Sequence, residues 1–323
     1  MLMLNEPEIR RIVDAGTARG AIAGAFRALQ RGEATLPNVI SVPFRRPDGV
    51  AHIKAGHLHG DAVWTVKVSG DFDPGDGSPI RHSGLMLVLS ADDGSLVGVL
   101  SDNGYLTELR TGAAGAVAAD LLARGDATTA AVVGAGSQAR FQLEALREVR
   151  SIDTVRVASR SPERAHAFVD ELAGQGLSAR LCTSVEEAVR GADVVITVTP
   201  STAPLVDAGW LDPGTHVTAV GSDEPTKQEL DPAVLARARV VAVDDRRQAA
   251  SFGELHHAIA AGLRSADDVV TLGELLVGAA EGRTAADDIT VADLTGVGVQ
   301  DAAIAALVLR EAAREQAAQL DTR

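Results

Sequence analysis

Ala130-Ala131-Val132-Val133-Gly134-Ala135-Gly136-Ser137-Gln138-Ala139 is the stretch on which the fold turns. Ala130 to Val133 reads as a buried strand, and a Gly-x-Gly-x-x-Ala string follows it directly and opens a helix. Each small residue then has a task. Gly134 permits the tight turn, Gly136 lets backbone N–H groups approach a pyrophosphate, and Ala139 lets the helix pack close to the strand. A glycine turn needed only for packing is the plain alternative; with strand, motif, helix and a second strand in succession, dinucleotide binding is favoured.

Reading outward, strands over 130–133, 154–158, 194–199, 216–220, 240–244 and 289–292 alternate with helices at the spacing of βαβ units. This predicts an α/β domain with a doubly wound parallel sheet of Rossmann type. Ser161-Pro162 and Asp231-Pro232 supply helix N-caps followed by proline, and Ser184 with Glu187 reads as a capping box. The second strand ends in Ala158-Ser159-Arg160-Ser161, where NAD enzymes usually carry a carboxylate for the ribose 2′-hydroxyl. Ser159 and Arg160 suit a 2′-phosphate instead, so NADP(H) is favoured over NAD(H) as cofactor, the alternative being that Arg160 is a solvated cation at the helix entry.

Upstream the pattern differs. A helix over 6–31 precedes β-rich runs at 39–43, 52–56, 63–69 and 85–89 separated by Gly, Pro and Asp turns, and a second helix follows over 107–122. This is an α+β arrangement around an antiparallel sheet, and the polar turn Arg124-Gly125-Asp126 marks its end. The expected domains are 1–125, completed by an Ala-rich C-terminal helix over 300–323, and 126–299.

The 323 residues hold 46% apolar and 23% charged side chains, enough for a full core and unlike a disordered chain. A net charge of −14 and 3% aromatic residues argue against nucleic acid, which is recognised by basic surfaces and stacking rings. The single cysteine, Cys182, cannot form an intrachain disulfide and suits a reducing cytoplasm. No apolar run approaches the ~18 residues of a membrane span, and the N-terminus turns polar too soon for a signal peptide.

Five strings extend the reading: Arg110-Thr111-Gly112-Ala113-Ala114; the fingerprint from Val133 to Ala139; Ala192-Asp193-Val194-Val195-Ile196-Thr197-Val198-Thr199-Pro200-Ser201; Gly221-Ser222-Asp223-Glu224-Pro225-Thr226-Lys227-Gln228-Glu229-Leu230; and Gly296-Val297-Gly298-Val299-Gln300-Asp301. In this order and spacing they resemble the ornithine cyclodeaminase/mu-crystallin family over nearly the whole chain. The resemblance implies a substrate and dimerisation domain, a homodimer built on the N-terminal sheet, and an NAD(P)-binding Rossmann domain. It implies that Asp223 is the catalytic acid/base and that Lys67 binds the substrate carboxylate beside the nicotinamide. Arg110 would contact cofactor phosphate near the active site and the substrate. Further cofactor contacts implied are His82, Thr111, Ser137, Gln138 and Thr199, then Val220, Gly221, Lys227 and Leu294, with Thr295 passing the substrate.

Members of the family usually carry an arginine shortly after a proline near Pro37. Here the nearest are Arg45 and Arg46, displaced towards Lys54, which leaves open which arginine or lysine completes the second carboxylate clamp. Lys54 with Lys67 would suit a substrate carrying a second negative group. Asp102-Asn103-Gly104-Tyr105-Leu106-Thr107 and Gly253-Glu254-Leu255-His256-His257 look more like the branch associated with ectoine utilisation.

Other groupings read as structural. His57 and His59 share a strand face but lack a third metal ligand, and His256 and His257 diverge on a helix with one at the surface. Asp92-Asp93-Gly94 and Asp71-Phe72-Asp73 read as turns, and Cys182 as buried and inert. No metal is expected, and no Gly-x-Ser-x-Gly elbow supports a serine hydrolase. The expected activity is NAD(P)-dependent reduction of the C=N bond of a small imino acid. A cyclodeaminase that recycles its cofactor is the alternative, as is a mu-crystallin-like ligand-binding protein, against which Lys67, Arg110 and Asp223 argue.

Overall fold

A computed structural model describes residues 1–45, 48–75 and 81–321, without the side chains of residues 48, 81, 82 and 319–321. Packing divides the chain into one unit of Met1–Arg110 with Val297–Arg323 and a second of Thr111–Gly296. The division falls inside the helix Tyr105–Leu122 and not at the polar turn 124–126, because Ala119 and Ala123 are buried in the second unit's core.

The first unit holds β1 (Leu2–Asn5), β2 (Ala34–Thr35), β3 (Ile40–Arg45), β4 (Asp48–Leu58), β5 (Val63–Asp73), β6 (Arg81–Ser90) and β7 (Leu96–Ser101). Their order is β1-β7-β6-β5-β4-β2, with β3 also paired to β4. All pairs are antiparallel except β1 with β7. The expected helix over 6–31 is two helices, Glu6–Ile12 and Ala15–Gln30. Asp14 starts the second by accepting from Thr17 N at 2.9 Å, an N-cap inside an otherwise continuous periodic pattern. The C-terminal helix, Gly298–Asp321, packs on Ala15–Gln30, β4 and β5. Its start is pressed against β4, since a Cβ on Gly56 would lie 2.4 Å from the Gly298 carbonyl oxygen and one on Gly298 2.0 Å from that of Ala55.

The second unit holds β8 (Thr129–Val133), β9 (Thr154–Ala158), β10 (Ser178–Leu181), β11 (Val194–Thr197), β12 (Thr202–Val206), β13 (His216–Ala219), β14 (Gln228–Leu230), β15 (Val240–Val243), β16 (Val270–Thr271) and β17 (Thr290–Asp293). Eight of them form one parallel sheet in the order β10-β9-β8-β11-β13-β17-β15-β16, while β12 and β14 pair separately. Side chains alternate between two apolar layers, Ala130 and Val132 in one and Ala131 and Val133 in the other, as a strand covered on both faces requires. Strand order reverses between β8 and β11, the switch point where open α/β sheets bind ligands at their carboxyl edge.

The ladders of β11, β13 and β15 stop at Thr197, Ala219 and Val243, short of the expected ends, and free the next residues to line that edge. Edge strands β10 and β16 and the β12–β14 pair are additions to the sequence reading. Ser184 caps its helix by accepting from Glu187 N (3.0 Å), but the Glu187 carboxylate turns to Thr183 N and Oγ1 (2.8 Å each), so the reciprocal box is not formed. Among the described residues no helix is long and apolar enough to cross a membrane.

Candidate active site

At the end of β8, Gly134 has φ +120°, and a Cβ there would come within 2.8 Å of the Val198 carbonyl oxygen. Only glycine fits that turn. Gly136 caps the helix Ser137–Arg147 with no side-chain bond, and a Cβ on it would meet nothing within 4 Å. The first-turn amides at Ser137 and Gln138 thus stand behind open space, a cradle suited to a dinucleotide pyrophosphate. Gln138 Oε1 accepts from Gln142 Nε2 (3.2 Å), which also donates to the Thr111 carbonyl (2.9 Å). After β9, Ser159 Oγ accepts from Ser161 N at 3.2 Å and Arg160 is exposed.

The segments after β11 and β13 are tied together by Glu229, whose role the sequence reading missed. Its fully buried carboxylate accepts from Thr197 Oγ1 (2.8 Å), Thr199 N (2.5 Å) and Gly221 N (2.8 Å). A Cβ on Gly221 would lie 2.2 Å from the Thr199 carbonyl oxygen, so glycine lets the two segments touch. Val220 N donates to Thr197 O at 3.0 Å. Burial pushes Glu229 up to about 7 against these hydrogen bonds. Beneath it, Glu254 accepts from Glu229 N (2.8 Å) and Leu230 N (3.0 Å), and Asp293 accepts from Leu255 N (2.8 Å). Burial raises Glu254 well above the usual range and Asp293 to about 7. Leu294 N donates to Ala219 O (3.0 Å), and the Thr295 hydroxyl donates to Asp244 (2.8 Å).

Asp223 follows β13 and accepts from Lys227 Nζ at 2.7 Å; its side chain is 38% exposed against 19% for the lysine. The Lys227 carbonyl takes Ser222 Oγ–H (2.7 Å) and the His257 ring N–H (2.8 Å), which pins the loop. His256 and His257 are both half-buried, neither being the surface residue expected, and their rings meet edge to face at 5.2 Å. His57 is bonded to the Asp61 carbonyl (3.2 Å) and His59 to Thr35 (3.0 Å), so each ring has its own partner.

In the first unit, Lys67 on β5 and Arg110 on the helix Tyr105–Leu122 converge on Asp301 in the first turn of the C-terminal helix. Lys67 Nζ and Arg110 Nε each lie 3.1 Å from the same oxygen, Oδ1. Arg110 Nη1 also donates to Gln300 Oε1 (3.3 Å), which in turn accepts from Val297 N (2.8 Å). All of these side chains are buried. Lys54 is the cross-strand partner of Lys67 and is half-buried. Arg45 is exposed and paired with Asp48 at the other end of β4, about 20 Å away at the usual rise per residue, so the structure does not bring it to the lysines within this chain. The side chain of His82, and all of Arg46, lie outside the described residues. The chain contains three lysines, Lys54, Lys67 and Lys227, against 27 arginines, and all three stand at candidate site positions.

Residues 1–317 match the model of the ornithine cyclodeaminase/mu-crystallin family. Among solved structures, the chain is similar to an archaeal alanine dehydrogenase dimer with bound NAD, at 36% identity and TM-score 0.91 over 98% of this chain and 97% of that one. It is similar to the Δ1-pyrroline-2-carboxylate reductase of Thermococcus litoralis in complex with NADH and L-proline, at 26% identity and TM-score 0.92 over 98% of both. It is similar, too, to the iminosuccinate reductase of Paracoccus denitrificans in complex with NAD+, at 33% identity and TM-score 0.89 over 98% of this chain and 97% of that one.

Proposed function

The chain belongs to the ornithine cyclodeaminase/mu-crystallin family, and from that premise we propose that it reduces the C=N bond of a small imino acid with a nicotinamide dinucleotide. The observation that carries this reading is the buried pair Lys67 and Arg110, two cations sharing one carboxylate oxygen and still rich in N–H donors. Such a pair binds a substrate carboxylate through charge-assisted hydrogen bonds and fixes the orientation of the attached C=N group. The cofactor, when bound, supplies hydride to the imine carbon. Asp223, partly exposed and paired with Lys227, handles the proton on the substrate nitrogen.

Ser159 and Arg160 support NADP(H) as the preferred cofactor, since Arg160 is exposed and no carboxylate stands at 159–161 after β9. Ile40, Val42 and Phe44 leave β3 with 58%, 38% and 40% exposed apolar side chains, which supports a homodimer through the N-terminal sheet, and the archaeal alanine dehydrogenase is a dimer. The lone, buried Cys182 suits the cytoplasm. A cofactor-oxidation screen over cyclic and acyclic imino acids, run with NADH and with NADPH, tests the reading. Stoichiometric oxidation with at least one imine is expected; ammonia release without net oxidation would replace it with cyclodeamination.

A further inference from the structure

Asp301 is 1% exposed, one of its oxygens takes both buried cations, and the other, Oδ2, has no partner among the described residues. Burying three ions is costly unless their geometry is good, and a well-packed apolar group of similar volume is often as stable. The arrangement is therefore better explained by what the cations do than by stability. The choice of cation points the same way. In a chain with so few lysines, Lys67 is an ammonium at a fully buried position, where a lysine loses its proton readily and an arginine would not.

We propose that Asp301 is a positioning residue that holds Lys67 and Arg110 side by side, from the first turn of the C-terminal helix, as one cationic seat for the substrate's carboxylate. This rests on the reading of Lys67 as the substrate anchor. The geometric part is the convergence of two elements, β5 and the helix Tyr105–Leu122, on a single oxygen. Gly56 and Gly298 permit it by letting the helix start touch β4. The electrostatic part concerns the proton on Lys67. Burial pushes that ammonium down to about 7; Asp301 opposes the fall, while Arg110 and Lys54 add to it. Asp102, itself buried, also feels the Lys67 charge. Without the Asp301 charge, Lys67 would be neutral at pH 7 and a poor partner for a carboxylate.

The small number of lysines makes a direct test practicable. Full-length protein carrying 13Cε-labelled lysine gives three resonances, assigned with Lys54→Arg and Lys227→Arg, and a pH titration then reads Lys67 without turnover. The expected midpoint is about 7 in the wild type, and ~1–3 pH units lower in Asp301→Asn. In the same variant KM for the imino acid should rise ~10-fold or more, the alkaline limb of kcat/KM should move down with the Lys67 midpoint, and cofactor affinity should hold. An unmoved Lys67 midpoint, or a raised KM with an unchanged pH profile, overturns the proposal, because a purely structural residue would do only that. If Asp301→Asn does not fold, Arg110→Gln carries the test: Asp301 then serves Lys67 alone and the midpoint should rise, whereas an unmoved midpoint overturns the coupling. A shifted midpoint in a protein that turns over no imine supports the coupling and overturns the substrate reading instead.

Discussion

Around Asp301 in the first unit the buried charges are ions that face ions, Lys67 and Arg110 against Asp301, while Asp102 takes the Leu106 amide. In the second they are carboxyls that face amides: Glu229 holds Thr199 N and Gly221 N, Glu254 holds Glu229 N and Leu230 N, and Asp293 holds Leu255 N. The outcome differs in sign. Opposite charge outweighs burial at Asp301 and keeps its carboxyl below the usual value, whereas burial wins at Glu229, Glu254 and Asp293 and drives them towards the neutral form. A buried carboxylate that keeps its charge can hold the Lys67 proton against burial. Carboxyls that drift towards neutrality serve as clips between loops.

The comparison breaks first at Lys67. Lys67→Met leaves Asp301 to Arg110 and should lower kcat/KM on the imino acid by ~1000-fold, the scale of losing one member of a buried hydrogen-bonded charge pair, with cofactor binding intact. Steady-state kinetics beside cofactor fluorescence titration would show it; near-normal turnover would move the seat elsewhere. Asp223→Asn keeps size and hydrogen bonding to Lys227 but removes the base, so kcat should drop by ~100-fold. A folded variant with normal turnover would reduce Asp223 to a partner of Lys227 in the turn.

Two smaller effects sharpen the second unit's side of the contrast. Arg160→Ala should weaken NADPH by ~10-fold and leave NADH alone; equal loss of both would mean that Arg160 does not read a 2′-phosphate. Glu229→Gln replaces an acceptor-only group by one with a single acceptor oxygen, so one amide loses its partner and cofactor binding should weaken by ~5-fold. Its stability profile is the cleaner readout. Glu229 has a raised value when folded, from 4.5 to about 7, so its stabilisation is full below the unfolded value and fades as pH rises through the folded one. Thermal melts from pH 4 to 8 should therefore fall less steeply in the glutamine variant, and an identical slope would show that Glu229 is charged throughout.

The dinucleotide half was legible because its signals are local. Gly134, Gly136 and Ala139 owe their identities to one turn and one strand–helix contact, and Ser161-Pro162 and Asp231-Pro232 to single helix starts. Local signals were also overlooked: Asp14 with Thr17 marks the break that makes two helices of 6–30. Glu229 and Asp301 stood inside strings already quoted, as carboxylates without a task.

By itself the sequence determined the parallel α/β unit and the family, and it supplied the residues proposed for the site, since periodicity, turn residues and motif spacing act within a few positions of the chain. Only the tertiary structure decided who meets whom. Arg110 and Asp301 are 191 positions apart and share a bond because a glycine contact seats one helix on β4. Arg45, near Lys54 in sequence, ends β3 beside Asp48 at the start of β4, six residues along that strand from Lys54. Charges buried together set one another's protonation through distance in space, and distance in space is what a one-dimensional pattern does not hold.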